Sequence, residues 1–202
     1  MSDIEYFYSA HSAYAYLGAK RVMEIAKAAG RKLRHWPMDL GVVIAATSGR
    51  SFGGRSDAHS AYFFGREMER WGEYRGVAID IAKPTHHDEP LALPNGMIIA
   101  AVEQGADADT LAHAIMAAHW TQDANIADET TLAAVATAAG IDPVPLLEAA
   151  MSAEIQAIHK ANTDEAIKRH IFGSPTYYVD GDMFYGQDRL ELVERALVRP
   201  FA

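Results

Sequence analysis

The chain has 202 residues, half of them apolar, and a formal net charge of −9 at pH 7. It contains no cysteine, which excludes disulfides, thiolate metal sites and a cysteine nucleophile, so any thiol chemistry needs a thiol from outside. Residues 101–202 hold 6 Lys and Arg against 16 Asp and Glu, an acidic half that argues against nucleic acid and anionic membranes as partners.

The opening Met1-Ser2-Asp3-Ile4-Glu5 is acidic and lacks the basic and apolar regions of a secretory signal. The apolar runs fall short of the ~20 residues a membrane span needs. A cytoplasmic protein is expected. Ile4 to Tyr8 reads as a short aromatic strand, and Ser12 to Ala29 as a helix with Tyr14, Leu17, Val22, Ile25 and Ala29 near one face. Gly30 ends that helix, and Lys32 to Pro37 alternates as a second strand, parallel to the first. Residues 45–58, rich in Gly, Ser and Arg, read as a loop. Phe64, Met68 and Trp71 form a helical stripe expected to be core. Pro84 to Pro94 reads as a second loop, and Asn95 to about Arg169 as an Ala-rich, acidic run of helices punctuated by Gly105, Gly140 and Pro143. Strands return at Thr176-Tyr177-Tyr178-Val179 and Asp182-Met183-Phe184-Tyr185, flanking the hairpin turn Asp180-Gly181. Asp188-Arg189-Leu190-Glu191 reads as a capping box opening the last helix. The order β-α-β, helical block, β-β-α predicts one α/β domain interrupted by an all-helical insertion.

Three places carry candidate chemistry. Ser12 is placed to cap a helix N-terminus. The same position offers free N–H donors and a positive dipole end, where a thiolate would be stabilised and accept a hydrogen bond from the serine hydroxyl. No Gly-x-Ser-x-Gly pattern surrounds it, so thiolate holding fits better than acylation. Ser174-Pro175 is a site for a cis peptide bond, expected here because such a turn would present the Ser174 backbone to an extended ligand. Gln187 and Asp188 sit at a helix start, where a carboxylate and nearby N–H groups suit a zwitterionic amino-acid end.

These segments resemble the 2-hydroxychromene-2-carboxylate isomerase family, relatives of kappa-class glutathione transferases and DsbA-type oxidoreductases within the thioredoxin superfamily. The resemblance spans nearly the whole chain. It rests on Ser12-Ala13-Tyr14-Ala15-Tyr16-Leu17, on Phe172-Gly173-Ser174-Pro175-Thr176, on Tyr185-Gly186-Gln187-Asp188-Arg189-Leu190, and on Trp120 with Asp123 to Ile126. It implies a thioredoxin-like domain from residues 1–40 and 171–202, with residues 41–170 as the helical insertion. It implies glutathione as the external thiol, a homodimer, and Ser12 as the residue that holds the glutathione sulfur. The Ser174 backbone before a cis Pro175 would pair with the cysteinyl unit. Gln187 and Asp188 would take the γ-glutamyl end, and Tyr185 and Gly186 would also belong to the glutathione-binding residues. The implied reaction isomerises an unsaturated aromatic carboxylate by reversible thiolate addition.

The chain departs from the family at Ala13, where proline is usual, and at Ala45 and Ala101, where members often carry Lys and Arg. Arg50 and Arg55 are the nearest replacements for those cations, with Tyr14 and Asn95 completing a candidate substrate pocket. His86-His87-Asp88-Glu89 has metal-like composition, but four adjacent residues cannot all converge on one ion, so no metal is expected. His113 and His119, six apart, fall on different helix faces. Two alternatives remain: a glutathione transferase or peroxidase acting on other electrophiles, and a thiol-less thioredoxin-like binding module in which Ser12 is a cap alone.

Overall fold

The computed structural model describes residues 2–47 and 54–202. Strands β1 (Ile4–Tyr8), β2 (Leu33–Pro37), β3 (Thr176–Val179) and β4 (Asp182–Tyr185) form one sheet in the order β2-β1-β3-β4. β1 and β2 are parallel across helix α1 (Ala13–Ala28), while β3 is antiparallel to both β1 and β4. The β3–β4 turn follows the sequence expectation for its stated reason. Asp180 and Gly181 both adopt positive φ, 50° and 94°, as a two-residue primed turn requires.

β1 is central and buried on both faces, and its period-two side chains divide between two cores. Ile4, Tyr6 and Tyr8 join the larger core with α1, and Phe7 joins a smaller one on the opposite face. The smaller core is closed by α2 (Leu40–Thr47), through Leu40, Val43 and Ile44, and by Ala166 of α9 (Ala153–Lys168). Between them lie α3 (Asp57–Ala61), a π-helical turn at Tyr62–Arg66, α4 (Glu67–Arg75), α5 (Ala92–Gln104), α6 (Ala108–Gln122), α7 (Glu129–Ala138) and α8 (Val144–Ala150). The larger core runs without a break from the sheet through Met97, Ile98, Leu111, Ile115, Leu132 and Leu146 of these helices. The architecture is a thioredoxin-like α/β fold with a helical insertion.

Four local expectations are corrected. Residues 45–47 belong to α2 rather than to a loop; residues 48–53, and with them Arg50, lie outside the described residues. α5 begins at Ala92, because Pro94 falls in its first turn, where a missing N–H costs nothing. Only Met68 of the Phe64-Met68-Trp71 stripe is fully buried; Phe64 faces the cavity described below, since the π turn shifts it off the helical register. The Asp188 capping box does not form. The chain enters α10 (Leu190–Val198) through a 3-10 turn at Gln187–Arg189, and the Asp188 carboxylate instead accepts from Arg189 Nη1 at 2.5 Å.

α5 and α8 are held unusually close. A Cβ on Gly96 would lie 2.3 Å from the Ala150 carbonyl oxygen and 2.8 Å from Gln156 Nε2, which itself donates to that carbonyl at 2.7 Å. Gly96→Ala is therefore expected to destabilise the protein by about 2–3 kcal/mol through overpacking. Gly65→Ala, with no atom within 4 Å of the added carbon, should be near neutral. Urea unfolding midpoints of the two variants check this contrast.

Candidate functional site

The N-terminus of α1 faces the β3 turn because β1 and β3 are paired. Ser12 caps α1, its Oγ accepting the Ala15 N–H at 3.2 Å and donating to the Ser174 carbonyl oxygen at 3.3 Å. Ser174 Oγ accepts the Ser9 N–H at 3.3 Å, and the Ser174–Pro175 bond is cis, as the sequence led us to expect. Two segments 162 positions apart thus meet at one serine pair.

A cavity of about 910 Å³ opens over this pair. Ser12, Tyr14, Arg55, Phe63, Phe64, Lys83, His87, Trp120, Ser174 and Tyr185 are among its lining residues. Tyr14 donates to the Phe63 carbonyl at 2.5 Å and so ties α1 to the π turn. Arg55 lies over the Phe63 and Phe64 rings, 4.9 and 5.4 Å from their centroids, a half-buried cation on aromatic faces. Lys83 reaches Asp88 at 2.5 Å on the same rim. Tyr185 covers Gly173, where a Cβ would come within 2.9 Å of the tyrosine hydroxyl.

Other expected site residues sit elsewhere. Asn95 is fully buried: its Oδ1 accepts the Ala10 N–H at 3.0 Å, and its Nδ2 donates to Met38 O and His159 Nε2 at 3.2 and 3.1 Å. It fixes the loop before Ser12 rather than lining the cavity. Gln187 is also buried, its Oε1 and backbone oxygen both held by Arg75, which reaches on to Glu191 at 2.5 Å. Neither Gln187 nor Asp188 lines the cavity, and Pro175 and Gly186 lie just behind it, joined by a Gly186 N–H to Pro175 O bond of 2.9 Å. Ala101 is in the core, so a cation there would not face the cavity.

The structure adds a histidine cluster that sequence reading missed. The C-terminal end of α6 anchors it. Trp120 Nε1–H donates to the His11 carbonyl at 2.9 Å, and Asp123 accepts from the N–H and hydroxyl of Thr85, both at 2.6 Å. The 83–88 loop is thereby drawn over the α1 terminus. The His87 ring lies 4.7 Å from that of His11, and its Nδ1 is 3.0 Å from His119 Nε2. Among the described residues no group of three or more His, Cys, Asp or Glu side chains is placed to hold a metal ion. Burial, reinforced by the neighbouring histidines, pushes His11 down to about 3; burial, then His119 and Lys83, brings His87 down to about 4. His119, His113 and His159 are lowered chiefly by burial as well.

These depressed values fix the sign of an acid effect. Below the ordinary imidazole value of 6.5 the unfolded chain takes up protons that the folded chain refuses until about 4 at His87 and about 3 at His11. The histidine contribution is therefore complete above 6.5 and is lost as the pH falls. Depressed carboxylates such as Asp180, lowered to about 2 by Arg31, act at lower pH. Melting temperature should fall steadily from pH 6.5 towards about pH 4.5, and His87→Gln should reduce that slope; an unchanged slope in the variant would mean His87 is not kept neutral by the fold.

The chain matches the model of the DsbA-like thioredoxin domain over residues 3–198. Similar proteins called 2-hydroxychromene-2-carboxylate isomerase occur in Sphingobium xenophagum and Pseudomonas putida. The first is 23% identical, covering 96% of this chain and 97% of the relative; the second is 24% identical, covering 97% and 94%. A solved 2-hydroxychromene-2-carboxylate isomerase superposes with a TM-score of 0.76 at 23% identity, covering 97% of this chain and 94% of that one. The cytosolic disulfide reductase DsbM of Pseudomonas aeruginosa, solved with GSH, superposes with a TM-score of 0.65 at 15% identity, covering 98% and 93%. α1 is capped by Ser12, the cis-proline turn faces it and the helical insertion lies over both; by its match to the domain model over residues 3–198 the chain belongs to the DsbA-like thioredoxin domain family.

Proposed function

We propose that the protein is a glutathione-dependent isomerase of an unsaturated aromatic carboxylate, acting by reversible thiolate addition. The observation that carries this reading is the Ser12–Ser174 contact at the cavity floor, where a helix N-terminus and a cis-proline turn meet in a chain without cysteine. The glutathione sulfur would sit at Ser12, taking over the hydroxyl proton now donated to Ser174 O. The dipole of α1 would lower its thiol pKa. The Ser174 backbone would pair with the cysteinyl unit behind Pro175, and Tyr185 and Gly186 would bound the γ-glutamyl end, with Asp188 lying outside the cavity and held by Arg189. Gln187 would contribute as the buried support of that turn. Addition to a conjugated carbon creates a single bond about which the substrate rotates, and expulsion of the thiolate restores the double bond. The enzyme would supply orientation, thiolate activation and charge stabilisation.

The names of the relatives and the glutathione held by a structural neighbour support the same reading. The aromatic wall of Phe63, Phe64 and Trp120 suits a planar substrate, and among the described residues Arg55 and Lys83, the latter paired with Asp88, are the basic side chains at the cavity for its carboxylate. Cytoplasmic placement and a homodimer go with this reading.

Two experiments test it. Glutathione should bind with one-to-one stoichiometry in calorimetry and raise the melting temperature by linkage; a flat titration at millimolar glutathione would remove the thiol from the function and leave a binding module. Ser12→Ala should cost about 1 kcal/mol of folding stability as a lost N-cap. It should cost more, about 1.5–3 kcal/mol, in the thiolate-bearing state, or roughly ten- to a hundredfold in rate. The check is the ultraviolet thiolate absorbance of bound glutathione against pH, beside thermal melts. Equal glutathione pKa values in both proteins, with only the melting temperature lowered, would make Ser12 a cap alone.

A further inference from the structure

We propose that His87 is the proton acceptor of this site, taking the proton of a bound thiol on Nε2 and returning it when the thiol leaves, with His119 as the residue that fixes its tautomer. The inference rests on the thiol reading above but is carried by a separate set of contacts. His119 Nδ1 lies 3.3 Å from the Ala124 carbonyl oxygen, which can only accept, so Nδ1 carries the hydrogen. In the neutral ring Nε2 is then a bare lone pair, and at 3.0 Å it accepts from His87 Nδ1–H. His87 is therefore held as the Nδ1–H tautomer, and its lone pair is at Nε2. The ring that bears it lines the cavity together with His11 and Ser12.

The wall is built so that the base stays neutral when the site is empty. His119 and Lys83 disfavour charge on His87 and Asp88 favours it, while His87 in turn disfavours charge on His11; Asp123 and His86 act on His119. A thiol entering at Ser12 changes this balance. Its S–H bond breaks as an Nε2–H bond forms, leaving a thiolate beside the Ser12 hydroxyl and an imidazolium at His87. No net charge is created, and each ion stabilises the other across the pocket. After addition, the imidazolium stands beside the cavity that holds the developing enolate. When the adduct collapses and the thiol departs, the proton returns from Nε2 to sulfur.

The test uses the full chain, glutathione and S-methylglutathione, which has no S–H. Imidazole nitrogen NMR should find His87 and His119 as Nδ1–H tautomers in the free protein, and a protonated fraction of His87 that rises once glutathione binds. S-methylglutathione should bind and leave His87 neutral. His87→Gln, at a half-buried position, should bind glutathione about as well but lower the thiolate fraction at a fixed pH about tenfold. His119→Phe keeps a ring and removes both nitrogens, and should turn the free His87 signal into a mixture of tautomers. If glutathione binds and its thiol titrates identically in wild type and His87→Gln, or if S-methylglutathione protonates His87 equally, the proposal is overturned while the thiol reading stands. If wild type binds no glutathione, both fall together.

Discussion

The site depends on the antiparallel pairing of β1 with β3, in which Glu5, Tyr6 and Phe7 oppose Tyr178, Tyr177 and Thr176. That register carries the segment after Tyr8 and the segment before Thr176 to the same end of the sheet. Everything else at the cavity floor follows from it. Ser9 N–H reaches Ser174 Oγ, Ser12 Oγ reaches the Ser174 carbonyl, and the turn is held to β4 by Gly186 N–H and Pro175 O. A slip of one residue would invert Tyr6 and Tyr177, which stack at 5.2 Å within the larger core. Burial of those rings on one face, and of Phe7 and Tyr178 on the other, makes that slip prohibitive.

The helical insertion closes the site through three polar side chains at the end of one helix. Trp120 fixes the backbone just before Ser12, Asp123 fixes Thr85, and His119 fixes the His87 ring. Asn95 does the same from beneath, its side chain hydrogen-bonded to Ala10, Met38 and His159. The insertion and the sheet share one core, so these contacts are delivered by a rigid body.

The parts legible in the sequence were those with local causes. Asp180-Gly181 announced its turn because both residues must take positive φ. Ser12 announced a cap, and Ser174-Pro175 a special bond, because each signal lies within a few residues. Asp188-Arg189-Leu190-Glu191 carried an equally local signal and failed, because Arg189 took the carboxylate and the Arg75 clamp on Gln187 set a tighter entry to the helix. Phe64 was misplaced because a π turn breaks the 3.6-residue period on which the stripe was read. The histidine cluster was illegible for a different reason. His11, His87 and His119 come from three separated segments, and their chemistry exists only once α6 pins the 83–88 loop.

The strand order also shapes how the molecule must be born. β1 and β2 pair early in the chain, yet the other edge of β1 waits for residues 176–178. At ordinary translation rates that interval is on the order of ten seconds. Throughout it the nascent protein carries an aromatic strand, Ile4–Tyr8, with one open ladder of N–H and C=O groups. Such an edge is a template for pairing with a neighbouring chain, and the acidic helices made meanwhile oppose that pairing by like-charge repulsion. Ribosome-bound chains truncated before Thr176 would thus be the form most dependent on holdase chaperones, and the cavity would be the last feature of the protein to exist.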